Sequence, residues 1–126
     1  KGGVYWMKSE LLFVYGTLKR GFGNHYYLKD AIFLGRGRTK ERYAMYELSI
    51  PYVVKDERVS HIVGEVYEVG RDTLKRIDML EGHPFAYKRE RVVVVLEDGT
   101  EVSAWLYFWE GCKRGNFNES GEYKRL

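Results

Sequence analysis

Two short segments hold the residues whose types and spacing could do chemistry. One is Phe13-Val14-Tyr15-Gly16-Thr17-Leu18-Lys19-Arg20-Gly21, and the other is Asp78-Met79-Leu80-Glu81-Gly82-His83-Pro84. In the first, an apolar run stops at a Gly-Thr turn. Such a turn gathers backbone N–H groups at one spot, where they can hold an anion or a developing oxyanion. In the second, the carboxylate of Glu81 follows a helical pattern. The C-terminal end of a helix carries partial negative charge, and Met79, Pro84 and Phe85 would shield the group from water. Both effects raise a carboxyl pKa, and a glutamate raised toward neutrality can shuttle protons. Taken alone, each segment also has an ordinary explanation. Glu81 could be a solvated side chain in a surface turn, and Tyr15 to Leu18 a plain strand-to-loop corner.

Other chemistries fail on the residues they require. Gly16 and Gly21 have the spacing of a P-loop, but Phe22 stands where the phosphate-binding lysine belongs. Gly21-Phe22-Gly23 lacks the third glycine of a dinucleotide fingerprint, because Tyr26 occupies that place. His25, His61 and His83 are dispersed without metal-ligand spacing, so no metal site is expected. Cys112 has no local motif that would activate it, and as the single cysteine it excludes an intrachain disulfide. No serine sits in a nucleophile elbow. The clusters Arg36/Arg38/Lys40 and Lys88/Arg89/Arg91 are interleaved with aromatics, as on small nucleic-acid-binding barrels. A net charge of +3 is too mild to favour that partner over solvated strand faces. No run of about 18 apolar residues predicts a membrane span, and no signal-peptide core is evident. A soluble, cytoplasmic protein is expected.

The elements that must position the two segments follow from periodicity and turn chemistry. The 126 residues suit one domain, with a loose lead-in over 1–9, where Met7 is a candidate start, and a polar tail over 111–126. With 11 Tyr, 6 Phe and 3 Trp, the chain leans toward sheet. Leu11 to Tyr15 reads as a buried strand and Gly16 to Gly23 as a loop. Asn24 is a plausible N-cap for a short helix carrying Tyr27, Leu28, Ala31 and Ile32. Phe33 to Tyr43 is a strand whose Gly35 and Gly37 predict a bulge. Tyr43 to Leu48 can pair with Tyr52 to Lys55 through Ser49-Ile50-Pro51, and Val59 to Val69 is a further strand. Asp72 can cap a helix with Leu74, Ile77 and Leu80 on one face, ended by Gly82 and Pro84. Arg91 to Leu96 and Val102 to Trp109 flank the hairpin signal Asp98-Gly99. The second of these strands is apolar on both parities, so it should be covered on both faces.

Tyr15-Gly16-Thr17-Leu18-Lys19-Arg20-Gly21 with Asn24-His25, Val63-Gly64-Glu65-Val66-Tyr67, and Ile77-Asp78-Met79-Leu80-Glu81-Gly82 with Tyr87-Lys88-Arg89 occur in that order. Together they closely resemble the gamma-glutamylcyclotransferase-like family, most of all the branch containing gamma-glutamylamine cyclotransferase. The resemblance covers residues from about 11 to 109. It implies an α+β fold, a small mixed β-barrel with a few short helices and a cavity. It also implies that Glu81 is catalytic, that Tyr15, Gly16, Thr17 and Leu18 bind substrate, and that Ile50 and Tyr87 line the pocket. The implied reaction cyclises a gamma-glutamyl amine or gamma-glutamyl amino acid to 5-oxoproline and needs no cofactor. The family's better characterised members shape the substrate exit with further C-terminal residues; here the tail is short, with Tyr123 as a weak counterpart. Two other functions compete: a non-catalytic module binding a small carboxylated ligand on the same fold, and a nucleic-acid-binding barrel. Glu81 favours the enzyme, since a pocket for an anion gains nothing from a nearby carboxylate.

Overall fold

Aromatic and β-branched runs become strands wherever a second layer can cover them. The computed structural model describes residues 9–124. Its strands are β1 (Ser9–Val14), β2 (Ile32–Leu48), β3 (Ile50–Val54), β4 (Ser60–Gly70), β5 (Tyr87–Leu96), β6 (Glu101–Trp109) and β7 (Asn116–Asn118). The helix α1 spans Arg71–Glu81, and a 3-10 turn spans His25–Leu28. The strands run β2-β4-β1-β6-β5, and β5 pairs back onto β2, which closes a five-stranded barrel. Its pairings are antiparallel except for β1 beside β6. The 17-residue β2 serves twice: its first part belongs to the barrel, and its second part carries β3 and β7 on either side. This is the expected small mixed barrel. Its helical content is smaller than the expected few helices: one α-helix and one 3-10 turn among the described residues.

Strand alternation feeds two cores. Phe13, Met45, Ile62, Val66, Val94, Leu106 and Phe108 fill the barrel. Leu12, Val14, Leu18, Leu28, Val69, Leu74 and Ile77 pack outside it, under α1 and the 3-10 turn. β1 and β6 are therefore apolar on both parities because both of their faces are covered. On β6, Ala104, Leu106 and Phe108 point inward while Trp105 and Tyr107 face the helix side. Fully burying each large side chain contributes about 1.5–3 kcal/mol.

Several local expectations change. Asn24 makes no capping bond, because its amide instead donates to Thr17 Oγ1 at 2.9 Å. The helix it was to start is only the 3-10 turn, and Ile32 opens β2 with its side chain exposed. Gly70, not Asp72, occupies the N-cap of α1; Asp72 lies in the first turn, where its charge suits the helix dipole. Leu80 turns outward, leaving Thr73, Leu74 and Ile77 as the buried residues of α1. The bulge predicted at the glycines falls between Phe33 and Gly35. The Asp98-Gly99 hairpin forms, with Asp98 Oδ1 accepting the Thr100 N–H at 2.9 Å. Ser9 already belongs to β1, while residues 1–8 of the lead-in, Met7 included, lie outside the described residues. The polar tail supplies β7, and its Gly121 C=O accepts the Val63 N–H at 2.9 Å. Among the described residues no helix is long and apolar enough to cross a membrane.

Candidate active site

At the end of β1 the chain leaves the sheet and folds into a tight, heavily bonded turn. Tyr15 is buried and its hydroxyl donates to the Tyr107 carbonyl at 2.8 Å. The carbonyls that follow are consumed in order: Gly16 accepts the Lys19 N–H at 3.0 Å, Thr17 accepts the Asn24 N–H at 2.9 Å, and Leu18 accepts His25 Nδ1 at 2.9 Å. A carbonyl only accepts, so Nδ1 carries the proton of His25. The Arg20 N–H donates to the buried Glu65 carboxylate at 3.0 Å. The backbone N–H groups of Gly16, Thr17 and Leu18 donate to no acceptor among the described residues. Glycine is required at position 16, because a Cβ there would lie 2.8 Å from Pro51 Cγ.

The facing wall is the last turn of α1. Gly82 adopts the left-handed conformation (φ 69°) that suits glycine and ends the helix, its N–H reaching the Met79 carbonyl at 3.3 Å. The His83 N–H then takes the Asp78 carbonyl at 2.9 Å. This stop leaves Glu81 as the final helical residue, half-buried at the cavity. Its carboxylate forms no hydrogen bond or ion pair with any described residue. Burial pushes its pKa up to about 7. The desolvating groups differ from those expected: Met79 and Phe85 are 82% and 85% exposed, and Pro84 is exposed too. The residues that share the cavity with it are instead those of the walls, including Tyr15, Tyr87 and Tyr107. Burial raises the pKa of each of these hydroxyls, and the Glu81 charge raises it further, so they stay protonated.

The space between the walls, with the open solvent at its mouth counted in, is about 410 Å³. It brings together all seven residues singled out in the sequence: Tyr15, Gly16, Thr17, Leu18, Ile50, Tyr87 and Glu81. Phe13, Val14, Pro51 and Tyr107 also line it, and among the described residues Glu81 is the only charged side chain in the lining. Tyr123 is not part of this lining; it packs on the barrel core, and its carbonyl accepts Lys19 Nζ at 2.6 Å. Among the described residues no group of His, Cys, Asp and Glu could hold a metal ion.

A profile of the family described as "Gamma-glutamyl cyclotransferase, AIG2-like" matches residues 12–125. The chain belongs to this family. A relative from Methanocaldococcus jannaschii, provisionally named a gamma-glutamylcyclotransferase, is 59% identical over 117 residues, which cover 91% of this chain and 96% of the relative. The rat gamma-glutamylaminecyclotransferase is 42% identical over 112 residues, covering 76% of this chain and 75% of the rat protein. A crystal structure of an AIG2-like protein from mouse superposes with a TM-score of 0.80 at 30% identity, covering 92% of this chain and 88% of the mouse chain.

In this gamma-glutamyl cyclotransferase family member, the residues missed in the sequence are Tyr107 in the lining and the polar pair Asp78 and Arg89 behind it. Arg89 grips Asp78 with both arms, Nε to Oδ1 at 2.8 Å and Nη2 to Oδ2 at 3.0 Å, and the Tyr107 hydroxyl donates to Asp78 Oδ1 at 2.6 Å. Burial alone would raise the Asp78 carboxyl, but the guanidinium and the hydroxyl outweigh it and hold the group below its ordinary value. Tyr107 carried a signal in the sequence, a hydroxyl in the middle of an apolar strand, which needs a buried partner. Asp78 and Arg89 both lie within the quoted motifs, yet their pairing spans a helix and a strand and shows only in three dimensions.

Proposed function

We propose that the protein cyclises a gamma-glutamyl amine or gamma-glutamyl amino acid to 5-oxoproline and releases the attached amine. The observation that carries this is one cavity lined on one wall by Gly16, Thr17 and Leu18, whose N–H groups meet no acceptor among the described residues, and on the other by Glu81, whose buried carboxyl has no partner among them. The substrate supplies its own nucleophile, so a lining without serine or cysteine among the described residues fits. Glu81, ionised, takes a proton from the substrate's α-ammonium. The freed amine nitrogen attacks the γ-carbonyl carbon and closes a five-membered ring, and the carbonyl electrons move onto oxygen. The N–H groups of Gly16 to Leu18 hold that oxyanion or the α-carboxylate; one such donor is worth about 3 kcal/mol to a transition state. Glu81 returns its proton to the leaving nitrogen, the tetrahedral centre collapses and the bond to that nitrogen breaks. Glu81, ionised again, then takes the second proton from the positively charged ring nitrogen and passes it to the released amine, which leaves a neutral lactam, an ammonium and an ionised Glu81. Atoms balance without water, metal or cofactor.

The test is 5-oxoproline release from a panel of gamma-glutamyl amines and amino acids, with Glu81→Gln alongside. We expect release by the wild type and a loss of about 10²–10⁴-fold in the variant, the usual contribution of a positioned acid–base group. Full activity in Glu81→Gln would sink the mechanism. No release from any panel member would leave a ligand-binding module of the same fold.

A further inference from the structure

The buried residues of α1, Thr73, Leu74 and Ile77, all precede its last turn. In that turn Met79 is 82% exposed and Leu80 is turned outward. Apolar packing thus fixes the start of the helix but not the end that carries Glu81. What grips the end is polar. Asp78 lies one turn before Glu81 and receives both arms of Arg89 and the Tyr107 hydroxyl. Both members of the ion pair are largely buried, with Arg89 19% and Asp78 17% exposed, so solvent screens it little. Arg89 is itself braced: its guanidinium lies 4.3 Å from the Trp105 ring centroid, and its backbone N–H donates to His83 Nδ1 at 3.2 Å. Tyr107 joins the two walls, since its hydroxyl holds Asp78 while its carbonyl accepts the Tyr15 hydroxyl. Asp78 does not line the cavity.

We infer that Asp78 is a positioning residue: clamped by Arg89 and Tyr107, it fixes the last turn of α1 and so sets where the Glu81 carboxylate stands in the cavity. The kinetic consequence rests on the proposed proton transfer by Glu81; the positional claim does not. The groups facing Glu81 are the neutral hydroxyls of Tyr15, Tyr87 and Tyr107, from the turn, β5 and β6. The charge of Asp78 on its own helix is matched by Arg89.

The test removes the clamp without changing the local charge. In Asp78→Ala/Arg89→Met, an anion and a cation leave together, and the methionine still packs on Trp105. Glu81 is titrated through its carboxyl carbon by NMR, and folding is checked by circular dichroism. Once the turn loosens and water reaches the carboxylate, its midpoint should fall by about one unit from the wild-type value near 7. The kcat for 5-oxoproline release should fall about tenfold or more, while KM changes less than about threefold. Tyr107→Phe removes one hydroxyl and leaves the ion pair, so it should shift the midpoint the same way by less; it decides the matter if the double variant does not fold. An unchanged midpoint in the folded double variant, or in Tyr107→Phe when the double variant is unfolded, overturns the inference. A shifted midpoint in a protein that releases no 5-oxoproline keeps the positioning role and removes the proposed reaction.

Discussion

The two walls of the cavity are built on opposite plans. The turn wall is bonded almost to saturation: its carbonyls are taken by Lys19, Asn24 and His25, Glu65 takes the Arg20 N–H, and Lys19 Nζ reaches the Tyr123 carbonyl in the tail. What remains without an acceptor among the described residues is the run of donors at Gly16, Thr17 and Leu18. The helix wall presents a single carboxylate with no partner among the described residues, tied down one turn earlier at Asp78. The contrast fits what the proposed reaction would ask of each wall. Fixed dipoles stabilise developing charge best when they need no reorganisation. A proton shuttle must change charge, and any cation or donor on it would hold it ionised and depress its pKa. Saturation suits the first wall and isolation suits the second.

The sharpest way to break this comparison is through stability. The folded-state pKa of Glu81, about 7, lies above its ordinary 4.5, so the folded chain keeps a proton that the unfolded chain gives up. The contribution is therefore fully favourable below 4.5, is lost as pH rises toward 7, and stays lost above. A shift of this size corresponds to up to about 3 kcal/mol. Glu81→Gln cannot ionise, so at pH values above 7 it should be more stable than the wild type by up to that amount, with the advantage vanishing in acid. Urea unfolding of both proteins across pH measures it. Parallel stability curves would mean that Glu81 is not isolated after all.

Gly16→Ala tests the other wall. The added Cβ must displace Pro51, whose ring cannot rotate away, so the turn or β3 shifts. Overpacking of this kind typically costs about 1–3 kcal/mol. Because the shift moves the free donors, kcat/KM for 5-oxoproline release should fall by about 10- to 100-fold. Wild-type kinetics in Gly16→Ala would show that the turn yields and is not rigid.

Legibility in the sequence divided along the same line. Glycine, proline and alternation are local signals, so the β1 exit, the Asp98-Gly99 hairpin and the Gly82 stop of α1 could be placed from residue types. The barrel closure of β5 onto β2 joins residues such as Thr39 and Val94, and no local pattern encodes it. Asn24 misled because a capping residue bonds whatever lies nearest, and here that is Thr17. Met79 and Phe85 misled because an apolar residue next to Glu81 in sequence need not face the same way. The tail looked merely polar, since a three-residue strand such as β7 is too short to show a period.

Glu65 is the most direct probe of how the turn is held. It is buried, and one of its oxygens accepts both the Arg20 N–H and the Tyr67 hydroxyl at 3.0 Å. Glu65→Ala strands both donors, at about 1–3 kcal/mol each, and frees the far end of the turn. We expect a lower melting temperature and a roughly tenfold loss of kcat/KM, since a displaced donor loses most of its oxyanion stabilisation. Glu65→Gln keeps an acceptor oxygen in place and should recover most of both. A Gln variant as impaired as Ala would show that the charge of Glu65, rather than its bonds, matters to the turn.

The smallest expected effect concerns what isolates Glu81. If the aromatic walls exclude water, the exposed apolar neighbours contribute nothing. Met79→Ser/Phe85→Ser should leave the Glu81 midpoint near 7 and stability within about 0.5 kcal/mol, as for most surface changes. Tyr87→Ala opens the cavity itself and should bring the midpoint down toward the ordinary range, because the lost ring is part of the lining. A midpoint lowered by the serine pair would relocate the desolvation to the loop after α1. The isolation of Glu81 would then be a property of that exposed loop rather than of the barrel.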